Sequence, residues 1–186
     1  MSSLNFYTQL QKSNTEPLIM GVLNLTPDSF YDGGRYTKLD AIIQRVKNMI
    51  HEGVDIIDIG AFSSRPGADL ISLKEEEKRL FPVLIKIKDL FPNTIISIDT
   101  YRHQIAEKAI KNGANIINNI YVKKDHKEMA RIVKKHDTPY IIMHMHGNPK
   151  NMQNKIKYHN FKNEIMLFFK QTIKKLHEIK FDKIII

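Results

Sequence analysis

The feature that most constrains the fold is a regular alternation of short apolar segments with longer segments of helical periodicity. The short segments are rich in isoleucine, and glycine follows several of the longer ones, as at Gly53 and Gly113. Strands that are apolar throughout and alternate with helices predict a parallel sheet covered by helices. The predicted strands are residues 18–23, 54–59, 95–98, 115–117 and 140–143 and one beginning at 183; the predicted helices are 39–51, 73–90, 103–111, 127–135 and 161–179.

The residues that follow the strands favour a closed barrel over an open doubly wound sheet. No Gly-x-Gly-x-x-Gly follows the first strand, so the usual sign of a dinucleotide-binding sheet is missing. Polar residues stand instead at the carboxyl ends of the first five strands, and in a barrel these ends converge on one mouth. These residues are Asn24, 60–65, Asp99, Asn118 and His144. The predicted fold class is α/β, a TIM-type (β/α)8 barrel, with residues 1–186 forming one domain that holds only about the first five and a half βα units.

The composition narrows the possible classes of function. The chain has no cysteine, which excludes disulfides and thiol catalysis and fits a cytoplasmic protein. No apolar run approaches the ~20 residues that span a bilayer, and residues 1–5 lack the pattern of a signal peptide. The formal charge of +9 comes from scattered lysines with few aromatic residues between them, which is typical of solvated helix faces. We therefore expect a cytoplasmic protein that binds neither membrane nor nucleic acid, although some of the charge would attract an anionic substrate.

Two polar loops after the first two strands carry groups that suit phosphate and a hard cation. Asn24 offers an oxygen to a cation such as Mg²⁺, and the glycine-containing loop after it would carry Phe30 over a ligand. Ser64 and Arg65 in the second loop form an oxyanion clamp, because a guanidinium presents forked donors to phosphate. An ordinary βα loop and a solvated surface loop explain the two segments almost equally well.

Asp99 and Asn118 end two neighbouring predicted strands with groups that suit a polar heterocycle. A carboxylate in this position accepts paired N–H donors and stabilises positive charge that develops on the ring. The alternative is structural, with Asp99 or Thr100 serving as the N-cap of the following helix. His144 and His146 have the spacing of a zinc pair, but no third ligand of matching type stands nearby, which favours coincidence.

Together these segments resemble dihydropteroate synthases, a family of pterin-binding barrels. Residues 23–30 with 32–34 closely resemble the first signature of that family, and residues 58–68 resemble the second. Residues 98–101, 116–118 and 143–149 with 152–153 follow in the order and spacing of the family. The resemblance covers nearly the whole chain from about Pro17.

The resemblance implies a Mg²⁺-dependent transferase that condenses 7,8-dihydropterin-6-ylmethyl diphosphate with p-aminobenzoate to give 7,8-dihydropteroate and pyrophosphate. Asn24 would touch the metal and the pyrophosphate, while Ser64 and Arg65 would hold anionic oxygens. Asp99 and Asn118 would bind the pterin ring, with Met143 packed on it, and Asp99 would stabilise the cationic pterin. Three further residues on the first two loops, Phe30, Asp32 and Pro66, would organise the metal and the p-aminobenzoate pocket. Asp99, Asp32 and Arg65 are the catalytic residues that the resemblance implies.

The sequence departs from the family pattern at three positions. Phe62 stands where many members carry Glu, Ser64 where many carry Thr, and Asn119 where Asp is common. The family also continues past Ile186 with an aspartate, a lysine-bearing loop and an Arg–His pair. The isolated chain is therefore expected to be weak or inactive, and to act as a homodimer or with a C-terminal fragment in trans.

Two alternatives to the synthase remain open at this point. One is a non-catalytic remnant, a binding or oligomerisation module of the same fold. The other is a methyltetrahydrofolate-dependent methyltransferase, which shares the pterin-binding barrel but provides no reason for the loop at 26–34 or the anion clamp at 64–67.

Overall fold

The predicted alternation of strands and helices is present throughout the computed structural model, which describes residues 7–8, 17–25, 38–62, 71–122, 126–147 and 157–186. Each boundary lies within about two residues of its predicted position. The strands are β1 (Met20–Asn24), β2 (Ile56–Gly60), β3 (Ile95–Asp99), β4 (Ile116–Asn119), β5 (Tyr140–Ile142) and β6 (Ile184–Ile185). The helices are α1 (Lys38–His51), α2 (Leu73–Leu90), α3 (His103–Lys111), α4 (His126–Lys135) and α5 (Phe161–Glu178).

All six strands belong to one sheet in the order β1-β2-β3-β4-β5-β6, and every neighbouring pair is parallel. A doubly wound sheet reverses its strand order at a switch point, and the described strands show no such reversal. An unbroken sequential order is the arrangement of a (β/α)8 barrel wall. The barrel prediction is therefore confirmed, and the alternative of a doubly wound sheet is wrong.

The two faces of the sheet carry different side chains because successive residues of a strand point in opposite directions. One face packs on the helices through residues such as Leu23, Ile57, Ile59, Ile96, Ile98 and Ile117, which join the main core with residues of α2 and α3. The opposite face, called the inner face below, has a separate apolar cluster near the amino ends of the strands. This cluster consists of Ile56, Ile95 and Ile116 with Leu18, Met20 and Ile141 around them.

The helix ends use the expected local chemistry. Gly53 follows α1 with φ 90° and Gly113 follows α3 with φ 94°, a conformation that favours glycine because it has no Cβ. The Ser72 hydroxyl caps α2 by accepting a hydrogen bond from the Glu75 backbone N–H at 3.1 Å. Within the described part of the chain, no helix has the length and apolar character needed to cross a bilayer.

Candidate functional site

Three of the predicted site residues lie in one row across the sheet. The strand register places Asn24 opposite Gly60, Gly60 opposite Asp99, and Asp99 opposite Asn118. All four lie an even number of residues after the inner-face positions Met20, Ile56, Ile95 and Ile116, so they share the inner face. The row therefore collects an amide, a carboxylate and a second amide at the carboxyl ends of β1, β3 and β4.

Gly60 leaves a space between two oxygen atoms of this row. A Cβ at position 60 would lie 3.4 Å from Asn24 Oδ1 and 3.5 Å from Asp99 Oδ2. The missing side chain allows both oxygens to lie over the backbone of β2, where a ligand or a cation can approach them. Amide and carboxylate oxygens are the donors that Mg²⁺ prefers, although no group of three or more His, Asp or Glu side chains in the described residues has the geometry of a metal site.

A second polar layer, absent from the sequence predictions, lies directly beneath this row. Asp58 and Ser97 occupy opposed positions two residues before Gly60 and Asp99, and Asp58 is only 6% exposed. Asn118 Nδ2 donates a hydrogen bond to Asp58 Oδ2 at 3.1 Å. A sequence signal for this layer exists, because one polar residue interrupts the isoleucine runs of β2 and β3 two residues before the last residue of each strand.

Burial perturbs both carboxylates of the site. Burial raises the pKa of Asp99 well above its usual value, and the charges of Asp58 and then Glu76 raise it further. Burial also raises the pKa of Asp58, while the hydrogen bond from Asn118 opposes that shift. Although Asp99 is only partly buried as a residue, its Oδ1 is closed to solvent, and no donor among the described residues reaches it. A ligand that brings N–H donors or positive charge to Asp99 would relieve this cost.

A buried ion pair holds the segment that follows Asp99. Glu76 of α2 is fully buried, and its Oε1 accepts a hydrogen bond from Thr100 Oγ1 at 2.7 Å. The Arg102 guanidinium pairs with the Glu76 carboxylate and donates to the Ile71 carbonyl oxygen at 2.6 Å. Arg102 is also the N-cap residue of α3, without a side-chain cap hydrogen bond. The N-cap is therefore neither Asp99 nor Thr100, although Thr100 Oγ1 accepts a hydrogen bond from the Arg102 backbone N–H at 3.1 Å.

Phe62 and Asn119, two of the residues that depart from the family pattern, make contacts that stabilise the fold. Phe62 is 2% exposed and packs edge-to-face on Tyr101, with 5.5 Å between the ring centroids. Asn119 is buried; its Nδ2 donates to the Tyr140 hydroxyl and its Oδ1 accepts from the Tyr121 backbone N–H, both at 2.8 Å. A carboxylate at position 119 would place a charge in this buried position, whereas the amide satisfies both partners without one.

Met143 and the two histidines lie just beyond β5. Met143 is 37% exposed and falls on the same face as Ile141, which opposes Asn118 in the register. His144 packs against Phe168, with 5.0 Å between ring centroids, and His146 packs against Tyr158 at 5.6 Å. Both histidines therefore belong to an aromatic cluster with Tyr158 and Phe168.

The remaining predicted site residues lie outside the described residues. They are Phe30 and Asp32 of the first loop and Ser64, Arg65 and Pro66 of the second. Their proposed contacts stay predictions.

Comparison with known proteins connects this site to a family. The family described as "Pterin binding enzyme" matches residues 20–186. A dihydropteroate synthase of Clostridium beijerinckii is 42% identical over 155 residues, which are 83% of this chain and 55% of that protein. A folate synthesis bifunctional protein of Arabidopsis thaliana is 49% identical over 139 residues, 74% of this chain and 29% of that protein.

Solved structures show the same relationship. A Clostridium difficile dihydropteroate synthase crystallised in the presence of pteroic acid superposes with a TM-score of 0.81 at 38% identity, over 91% of this chain and 63% of that one. A Yersinia pestis dihydropteroate synthase in a sulfonamide drug complex gives a TM-score of 0.80 at 35% identity, over 90% of this chain and 60% of that one. The chain thus spans less than two thirds of each of these relatives. Because the family match runs from β1 to the last residue of the chain, the protein belongs to the pterin-binding enzyme family.

Proposed function

We propose that this chain carries the pterin site of a dihydropteroate synthase, which condenses 7,8-dihydropterin-6-ylmethyl diphosphate with p-aminobenzoate and releases pyrophosphate. The observation that supports this function most directly is the row Asn24–Gly60–Asp99–Asn118 at the carboxyl ends of four adjacent strands. The names of the relatives described above favour a synthase over the methyltransferase alternative.

Asp99 and Asn118 suit a ring that presents several N–H groups. The two residues are directly opposed on neighbouring strands, about 4.8 Å apart, so their side chains can bind adjacent donors of one heterocycle. Asp99 Oδ1 is buried and has no donor among the described residues, which leaves it available to a ring N–H. As pyrophosphate leaves, positive charge develops on the pterin, and a carboxylate held in a site of low dielectric stabilises that charge.

Mg²⁺ fits the proposed site as a cofactor, with Asn24 as its ligand. Asn24 Oδ1 lies over Gly60, on the same side as Asp99 Oδ2, and Asn24 is exposed, so an entering cation meets an oxygen donor. When bound there, Mg²⁺ would offset the charge of the diphosphate. Arg65 and Ser64 would hold anionic oxygens, while Asp32, Phe30 and Pro66 would order the p-aminobenzoate side.

The isolated chain is proposed to have weak activity or none. Strands β1 and β6 lie at the two ends of the sheet order, and Val22 on the inner face of β1 is 60% exposed. A barrel buries such residues by closing on itself. A second copy of the chain, or a fragment that resembles the C-terminal part of the relatives, would cover this face. We also propose that the protein is located in the cytoplasm. The same sheet, with two unpaired ends among the described strands, also supports the alternative of a non-catalytic binding or oligomerisation module.

A synthase assay with and without a complementing fragment tests the proposed function. The chain would be assayed alone and with the C-terminal part of the Clostridium beijerinckii relative, and the variant Asp99→Asn would be the control. We expect turnover only in the complemented mixture and its loss in Asp99→Asn. Absence of turnover in every mixture, with a chain that is folded by circular dichroism, would favour the non-catalytic module.

A further inference from the structure

Asp58 is a buried carboxylate that the proposed function does not yet use. It lies in β2 on the inner face, two residues before Gly60, and is 6% exposed. Carboxylates are rarely this buried unless hydrogen bonds compensate them. Its position beneath the row of site residues therefore calls for an account of what it binds.

Asp58 accepts a hydrogen bond from a residue of β4 and lies opposite a residue of β3. Asn118 Nδ2 donates to Asp58 Oδ2 at 3.1 Å across β3, and Ser97 of β3 opposes Asp58 in the register. The Asn118 donor stabilises the ionised form of the carboxylate and opposes the effect of burial on its pKa. Asp58 thus connects the lower polar layer to Asn118 in the upper row.

The hydrogen bond determines which way the Asn118 amide faces. The two ends of an Asn amide have nearly the same shape but opposite hydrogen-bonding character. An ionised carboxylate only accepts, so the NH₂ end of Asn118 must face Asp58. The Oδ1 end then occupies the other branch of the amide, which is not bonded to Asp58.

We propose that Asp58 is a positioning residue that turns Asn118 Oδ1 toward the ligand, so that Asn118 and Asp99 together present acceptors to one edge of a heterocycle. That edge must carry N–H donors, as the amino-substituted ring of a pterin does, and a carbonyl in the same place would meet like acceptors. This inference rests on the proposed function for the identity of the ligand. It adds Asp58 as the residue that orients the Asn118 amide toward the ligand.

The first measurement observes the amide without any ligand. The side-chain ¹H–¹⁵N resonance of Asn118, assigned by its loss in Asn118→Ala, reports the hydrogen bond to Asp58. We expect a downfield-shifted, slowly exchanging proton in the wild-type chain and its loss in Asp58→Asn. Ser97→Ala is the matched control, because it removes the other neighbour of Asp58 and leaves the donor from Asn118 in place. An Asn118 amide in the wild-type chain that exchanges like an exposed side chain would overturn the proposal, whether or not Asp58→Asn folds.

The second measurement tests ligand selection by calorimetry. Pterin would be compared with lumazine, in which a carbonyl oxygen replaces the 2-amino group. We expect the wild-type chain to prefer pterin and Asp58→Asn to reduce that preference by about tenfold or more, since the amide is then free to flip. An unchanged preference in Asp58→Asn would overturn the proposal. A chain that shows the amide signature and binds no pterin would instead contradict the proposed function while supporting the Asp58–Asn118 geometry.

Discussion

Replacing Gly60 by alanine should weaken ligand binding without lowering the stability of the fold. The new Cβ would lie 3.4 Å from Asn24 Oδ1, 3.5 Å from Asp99 Oδ2 and 3.7 Å from Asp99 Cβ. These are ordinary van der Waals distances, so the methyl group fits without displacing the backbone. Because glycine inside a strand costs about 0.5–1 kcal/mol relative to alanine, Gly60→Ala should leave the free energy of unfolding unchanged or raise it by up to that amount.

The same methyl group would occupy the space through which a ligand reaches the two oxygens. Forcing extra volume into a fitted site costs about 1–3 kcal/mol, which corresponds to roughly a 5- to 150-fold weaker affinity for the pterin diphosphate. Urea denaturation would measure the stability and calorimetry the affinity, both on the full chain.

Gly21→Ala is the matched control within the same sheet. A Cβ at Gly21 would lie 2.4 Å from Met49 Cε and 2.9 Å from Val54 Cγ2, on the helix-covered face and away from the row. This variant should lose about 1–3 kcal/mol of stability through overpacking. If Gly60→Ala bound pterin diphosphate as tightly as the wild type, or lost as much stability as Gly21→Ala, the assignment of Gly60 to the site would be refuted.

Three further predictions follow from buried and paired charges. Asp99→Asn should bind pterin more weakly in calorimetry, and unchanged affinity would contradict the role of Asp99 in ligand binding. The variant should also be more stable than the wild type at neutral pH, because a carboxylate whose pKa is raised by burial destabilises the folded state once it is ionised. Glu76→Ala should cost about 3–5 kcal/mol in urea denaturation by leaving Arg102 unpaired, whereas Glu77→Ala, which breaks an exposed pair, should cost under about 1 kcal/mol. Hydrogen bonds from lysines lower the pKa of Glu107 to about 2. Glu107→Gln should therefore be less stable than the wild type above pH 4.5, and this difference should vanish as the pH falls toward about 2. If urea denaturation still showed the wild type to be more stable at the acidic end, the result would be inconsistent with this pairing.

The buried ion pair explains how the site keeps its shape at the end of β3. Glu76 reaches from α2 to Thr100 and Arg102, which fixes the chain immediately after Asp99. Removing one partner of such a pair is costly because the other charge remains buried. Asp99 is therefore anchored on both sides, by the β3 ladder before it and by this network after it.

Local sequence was sufficient to predict the order of elements and the residues at the strand ends. Apolar strands, helical periodicity and glycines such as Gly53 and Gly113 act over a few residues, and the structure places each element close to its predicted position. The positions of Asn24, Asp99 and Asn118 at the carboxyl end of the sheet follow from the same pattern, because parallel strands bring equivalent ends to one edge.

The layer beneath the row depended on pairing between distant segments. The sequence shows Asp58 and Asn118 sixty residues apart, and no local pattern states that they touch. Their contact requires the register of β2, β3 and β4, and a shift of one residue would turn either side chain to the opposite face. The sequence alone therefore determined the fold class and the chemistry available at the strand ends. Only the tertiary structure decided which of those groups share a row, which carboxylate orients Asn118, and that Glu76 anchors the segment after Asp99, since register and burial arise from contacts between segments far apart in the chain.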